Sequence, residues 1–131
     1  MHIKRLVPIL VSVFVLVSMI PTLAHATTEE AFICSFKEGK TMEDLMNVAG
    51  QFVKGIAELK GGGAYQAHIL TPIASEDLST VIWIGQMPDF ASLAAFNDAY
   101  NASPLSEKIN PMFEEVVDCQ SRSFWRVHDV K

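Results

Sequence analysis

The sequence holds few of the residue types that build recognisable chemistry. It has two cysteines, Cys34 and Cys119, and four histidines in 131 residues. No Cys-x-x-Cys pair occurs, which argues against a dithiol redox site. No His-x-x-x-His pair, cysteine pair or acidic loop has metal-ligand spacing, so neither a metal nor another cofactor is expected. Nucleophile-elbow and phosphate-loop patterns are absent. Gly61-Gly62-Gly63 follows a helical stretch and precedes a strand, the reverse of what a phosphate cradle requires, and reads as a terminator. Basic residues do not cluster, so nucleic acid and anionic lipid are not expected partners.

One long apolar run is present, and it lies at the start. Met1 to Arg5 carries positive charge, Leu6 to Ile20 is broken only by Pro8, Ser12 and Ser18, and Pro21 precedes Ala24-His25-Ala26. The run is short for a bilayer span, which takes about 20 apolar residues. The small residues at alternate positions suit a signal peptidase. Residues 1–26 are therefore expected to be a cleaved secretory signal peptide, with an uncleaved anchor as the alternative. Lipoprotein processing is not expected, because no cysteine directly follows the cut. No later stretch is long enough to cross a membrane, and the rest is expected to be periplasmic or secreted.

The leader takes Lys4 and Arg5 and no acid. The 105 residues left of the 131 then hold 8 Lys and Arg against 15 Asp and Glu, a formal charge of −7. That length supports a single domain, 27–131, with a modest core. In an oxidising compartment Cys34 and Cys119 are expected to form a disulfide. Two separate buried thiols are the alternative.

Residues 27–30 read as a frayed polar start, followed by a strand over 31–36. Thr41 and Asp44 form a capping box with the shorter acid, opening a helix whose apolar stripe is Met42, Leu45, Met46, Ala49, Phe52, Val53, Ile56 and Leu59. Strands over 64–71 and around Val81-Ile82-Trp83-Ile84 should pair as a hairpin. Asp89 caps a helix with Phe90, Leu93, Ala94, Phe96 and Tyr100 inward. Ser103 then caps a new start with Pro104 at its first position, and Pro111 should kink or divide that piece near Asn110. A last strand covers 116–126.

The order strand, helix, strand, strand, helix, strand builds a ferredoxin-like α+β fold with a four-stranded antiparallel sheet. Its first and last strands lie side by side, which brings Cys34 to Cys119. Val81-Ile82-Trp83-Ile84 is apolar on consecutive residues, so both faces of that strand call for burial while helices cover only one. A second copy of the chain is the simplest cover. A monomer with an exposed apolar face is the alternative.

This element order, the segment Val81-Ile82-Trp83-Ile84-Gly85-Gln86-Met87-Pro88-Asp89-Phe90 and the following helix with Phe96 resemble the dimeric α/β barrel superfamily, including its antibiotic-biosynthesis monooxygenase-type domains, over residues 29–128. The stretch from Cys34 to Leu45 is similar to that of uncharacterised exported bacterial proteins. The resemblance implies a homodimeric barrel but little about chemistry. Haem-degrading members are matched only at Trp83; their first-strand asparagine and second-helix histidine have no counterpart at a fitting place, Asn97 being the only amide nearby, so haem chemistry is not carried over.

Two histidines remain after the leader. His68 shares a strand face with Gln66 and Leu70 and could serve as a general base or ligand in a barrel cavity; a histidine satisfied within or beside the core is the bland reading. His128 reads as solvated, as does Asn47. Trp83, Tyr65, Phe52, Phe96 and Tyr100, with Trp125, could shape an apolar ligand pocket or simply form the core. The first expectation is a small exported domain that binds an apolar or aromatic molecule. A cofactor-independent monooxygenase or isomerase-like enzyme with His68 as base is the second, with Trp83 and Tyr65 as pocket walls, and a structural or interaction role is the third.

Overall fold

The computed structural model describes residues 27–130; the expected leader, residues 1–26, lies outside the described residues. The chain runs β1 (Thr28–Phe36), α1 (Met42–Ile56), a short 3-10 turn (Gly62–Ala64), β2 (Gln66–Leu70), β3 (Thr80–Met87), α2 (Phe90–Asn101), α3 (Pro104–Val116) and β4 (Val117–Arg126). The strands form one antiparallel sheet in the order β2-β3-β1-β4. This is the ferredoxin-like α+β arrangement expected from the element order.

Local chemistry sets the helix starts. The Thr41 hydroxyl accepts the Asp44 N–H while the Asp44 carboxylate accepts the Thr41 N–H at 2.8 Å, a reciprocal capping box. Asp89 accepts the Ser92 N–H at 2.7 Å and opens α2. Pro104 begins α3, but Ser103 does not cap it: its hydroxyl donates to the Tyr100 carbonyl at 2.7 Å, closing the turn between α2 and α3 instead. That turn is where the second helical stretch divides. Pro111 lies inside α3, which continues past it. A proline removes one backbone bond, and the burial of Ile109 and Val116 on the core side holds the helix together across the gap.

The core lies between the helices and one face of the sheet. On α1 it takes Leu45, Val48, Ala49, Phe52 and Ile56, while Met46 and Val53, at the margins of the expected stripe, are exposed. On α2 it takes Leu93, Phe96 and Tyr100; Phe90 and Ala94 point outward, and Phe90 meets Phe124 edge-on. Gly62 is fixed by close approach, since a Cβ there would fall 1.7 Å from the Ile56 carbonyl oxygen.

Strand pairing sorts side chains into rows across the sheet. On the helix side run Ala67, Gly85, Glu30 and Phe124, then Ile69, Trp83, Phe32 and Arg122, then Val81, Cys34 and Cys119. On the other side run His68, Ile84, Ala31 and Ser123, then Leu70, Ile82, Ile33 and Ser121. The β1–β4 register shifts between Ile33 and Cys34, leaving Gln120 as an extra residue. Cys119 and Arg122, three apart, would face opposite sides of a regular strand. The bulge puts both on the helix side.

Residues 29 and 30 are not frayed: β1 begins at Thr28, and Thr28 and Glu30 are buried in phase with Cys34. Cys34 and Cys119 are register partners joined by a disulfide with a sequence separation of 85. Closing so long a loop restricts the unfolded chain, and in the chain-entropy account contributes about 4 kcal/mol. The Cys34→Ser/Cys119→Ser double variant is expected to unfold at lower urea, with ΔG reduced by that order. An unchanged urea midpoint would show that strand pairing alone holds β1 to β4.

Candidate functional site

Between the sheet and the helices lies a cavity of about 330 Å³. Its wall is largely aromatic because most elements turn ring-bearing positions inward: Phe32 from β1, Phe52 from α1, Tyr65 just before β2, Trp83 from β3, Phe96 and Tyr100 from α2 and Phe113 from α3. Phe52 stands at the centre of this arrangement. It meets Tyr65, Trp83, Tyr100 and Phe113 edge-on, with centroid separations from 5.4 to 6.0 Å.

A polar cluster interrupts the apolar wall at Glu30, whose side chain is only 4% exposed. Three elements answer it. The Tyr65 hydroxyl donates to Oε1 at 2.9 Å, the Arg122 guanidinium donates through Nη2 to Oε2 at 2.6 Å, and Asn97 Nδ2 stands 3.4 Å from Oε2. Trp83 Nε1 donates to the Tyr65 oxygen at 3.1 Å, so this hydroxyl both donates and accepts. No buried side-chain polar atom among the described residues lacks a partner. Gly85, opposite Glu30 in the sheet, makes room for the cluster: a Cβ at that position would fall 1.8 Å from the Tyr65 hydroxyl oxygen. The Arg122 guanidinium is itself held over two rings, 5.1 Å from the Phe32 centroid and 4.9 Å from that of Phe124.

The five aromatic residues singled out from the sequence, Trp83, Tyr65, Phe52, Phe96 and Tyr100, all line the cavity. Trp125 does not: it pairs with Glu29 on the other face and is 60% exposed. His68 is not there either. Its neighbours Ala67 and Ile69 pack on the core, so alternation turns the exposed imidazole to the opposite side, beside Ile84. A base at His68 cannot serve this cavity from within the same chain. His128 and Asn47 are exposed. The residues that sequence reasoning passed over are Glu30 and Arg122. The phase of Glu30 with Phe32 and Cys34 was a usable signal for the first; nothing in the alternation of β4 marked the second, since the bulge is what turns it inward.

Among the described residues no group of His, Cys, Asp and Glu is arranged to hold a metal ion. Nor is any described helix long and apolar enough to cross a membrane.

No protein-family model matches the sequence, and no curated protein matches it. Solved structures do match its fold. An uncharacterized NIPSNAP domain protein from Burkholderia xenovorans aligns with a TM-score of 0.56 at 15% identity, covering 79% of this chain and 94% of that one. SnoaB, a cofactor-independent oxygenase from Streptomyces nogalater, aligns with a TM-score of 0.55 at 6% identity, covering 80% and 96%. The hydroxynitrile lyase of Passiflora edulis aligns with a TM-score of 0.54 at 10% identity, covering 82% and 98%. The chain thus shares its ferredoxin-like fold with these proteins. At such identities the likeness is one of fold.

The chain has two tyrosines, and both line this cavity. Burial, aided by the neighbouring Glu30 carboxylate, raises the Tyr65 hydroxyl far above its usual 10.0. Burial alone pushes Tyr100 up to about 12. The folded chain therefore holds both protons more tightly than the unfolded chain does. Their stabilising contribution is complete below pH 10 and is lost as pH rises through and beyond the folded values. In an alkaline titration followed by phenolate absorbance, the folded protein is expected to show almost no tyrosinate at pH 10, whereas the urea-unfolded chain is half ionised there. Ionisation of either tyrosine near pH 10 in the folded state would contradict this burial.

Proposed function

We propose that this protein is an exported domain that binds a small, largely apolar or aromatic molecule in the cavity between its sheet and helices. The observation that carries this reading is the convergence of seven aromatic residues on a space of about 330 Å³ with a few polar groups at its edge, among them the Glu30 cluster and the Tyr100–Asn110 hydrogen bond. Ligand sites combine these features: concave, mainly apolar walls and a few fixed polar groups that set orientation. Export is supported by the charged and apolar leader and agrees with the Cys34–Cys119 bridge.

The working form in this reading is a homodimer. Helices leave the second sheet face uncovered, and Ile33, Leu70 and Trp125 are exposed there, with Leu70 at 51%. A second copy laid on this face would remove their surface from water, the usual reason for such an interface.

Catalysis is the second reading, and one feature favours it: the Tyr65 hydroxyl and Glu30 carboxylate form a hydrogen-bonded pair at the cavity wall. SnoaB is a cofactor-independent oxygenase, and the Passiflora protein is a hydroxynitrile lyase. A monooxygenase or isomerase-like reaction here would draw on that pair. His68 could take part only in a cavity made across the open face by a second chain.

Ligand binding is tested with a Trp125→Phe variant, which leaves Trp83 as the one tryptophan of the chain. A planar aromatic ligand is expected to quench its fluorescence and, at a hundredfold excess over Kd, to stabilise the fold by about 2.7 kcal/mol. Sedimentation of the unaltered protein, which keeps Trp125 on the open face, is expected to give twice the chain mass. Absence of quenching and thermal shift across a panel of aromatic compounds would remove the binding reading, and a monomer would remove the second copy.

A further inference from the structure

We infer that the cavity selects a neutral aromatic molecule bearing a carbonyl group, with the carbonyl oxygen seated on Arg122. This rests on the ligand-binding reading above and specifies its chemistry. Among the described residues, Arg122 is the one cationic side chain lining the cavity. It is also a donor with capacity to spare: a guanidinium carries five N–H groups, and among the described residues it makes one hydrogen bond, to Glu30. Its side chain is 41% exposed, so the remaining N–H groups can reach an incoming molecule. The rings of Phe32 and Phe124 hold the guanidinium in place. A donor fixed in this way can orient an acceptor.

The carboxylate side of the pair offers less. Glu30 already accepts from Tyr65, Arg122 and Asn97, and its side chain is only 4% exposed, so little of the carboxylate is open to a donor group on the ligand. An acceptor therefore fits better than a donor. Charge decides between acceptors. Glu30 already neutralises Arg122, and Glu114 adds a second carboxylate to the lining. A carboxylate ligand would be a third acid against one guanidinium, and its desolvation would not be repaid. A ketone, aldehyde or amide oxygen accepts the hydrogen bond without that repulsion, while the ring system occupies the space around Phe52 and Trp83.

Three probes of one size separate these contributions: acetylnaphthalene, ethylnaphthalene and naphthoate, titrated against the purified protein. The expected order is acetylnaphthalene about tenfold tighter than ethylnaphthalene, the worth of one hydrogen bond to a charged donor, with naphthoate no tighter than the hydrocarbon. In Arg122→Met the ratio of acetyl to ethyl affinity should fall to about one. Because that substitution leaves Glu30 buried without its partner, the Glu30→Gln/Arg122→Met double variant repeats the comparison in a cluster with no net charge left over. Equal binding of the acetyl and ethyl compounds to the unaltered protein overturns the carbonyl inference while leaving the cavity reading standing. Persistence of the acetyl preference in both variants, or tighter binding of naphthoate than of acetylnaphthalene, overturns it too. If none of the three binds, the cavity reading falls and the inference falls with it.

Discussion

A carboxylate taken almost wholly out of water must be met by donors, and that demand at Glu30 organises much of this fold. β1 is an inner strand, so the Glu30 side chain has no route to solvent within the sheet. Its partners arrive from three directions: Tyr65 from the turn before β2, Arg122 from β4 and Asn97 from α2. Each contact constrains its neighbours in turn. Tyr65 can reach Glu30 only because β3 carries a glycine at position 85, and Arg122 can do so because the bulge at Gln120 changes which way β4 points its side chains. Removing a single partner from such a cluster is expected to cost more than the contact is worth, since a buried charge is left behind.

The same cluster gives the cavity its character. Around it the wall is built from rings in edge-to-face contact, which fill space without polar atoms and leave a gap that the chain does not close. A satisfied polar group at the margin of an apolar space fixes the orientation of whatever enters. It also explains why Trp83 and Tyr65, which a simple core would bury without partners, donate and accept at the same oxygen. On the other side of the sheet, Ile33, Leu70 and Trp125 present an apolar surface with no ring cavity and no charged cluster, where His68 lies.

Element order, both carboxylate caps, the hairpin and the pairing of Cys34 with Cys119 were legible in the sequence, because each depends on local pattern or on connectivity. The aromatic wall was legible in its members but not as a cavity, since periodicity says that Phe52 and Phe96 turn inward and does not say how completely they pack. Glu30 was missed because two acids beside a presumed cleavage site look like a solvated end, although its spacing from Cys34 is that of one strand face. Arg122 was hidden by the bulge: counted by twos from Cys119, the inward positions would be Ser121, Ser123 and Trp125. Pro111 and Ser103 were misjudged for a related reason, as local propensity gave way to the packing of α3 and to a hydroxyl that found the Tyr100 carbonyl instead. His68 was placed on the correct face with Leu70, but the cavity formed on the other one.

The claim that an answered charge at Glu30 ties these segments together is tested most directly by a double-mutant cycle. Unfolding free energies in urea would be compared for the parent chain, Glu30→Gln, Arg122→Met and the variant carrying both. Arg122→Met alone is expected to destabilise by about 1 to 3 kcal/mol, less than for a fully buried pair because Arg122 is 41% exposed, and adding Glu30→Gln is expected to recover part of that loss, so that the two changes couple by about 1 kcal/mol. Additive effects, with no recovery in the double variant, would show that Glu30 and Arg122 are independent neighbours.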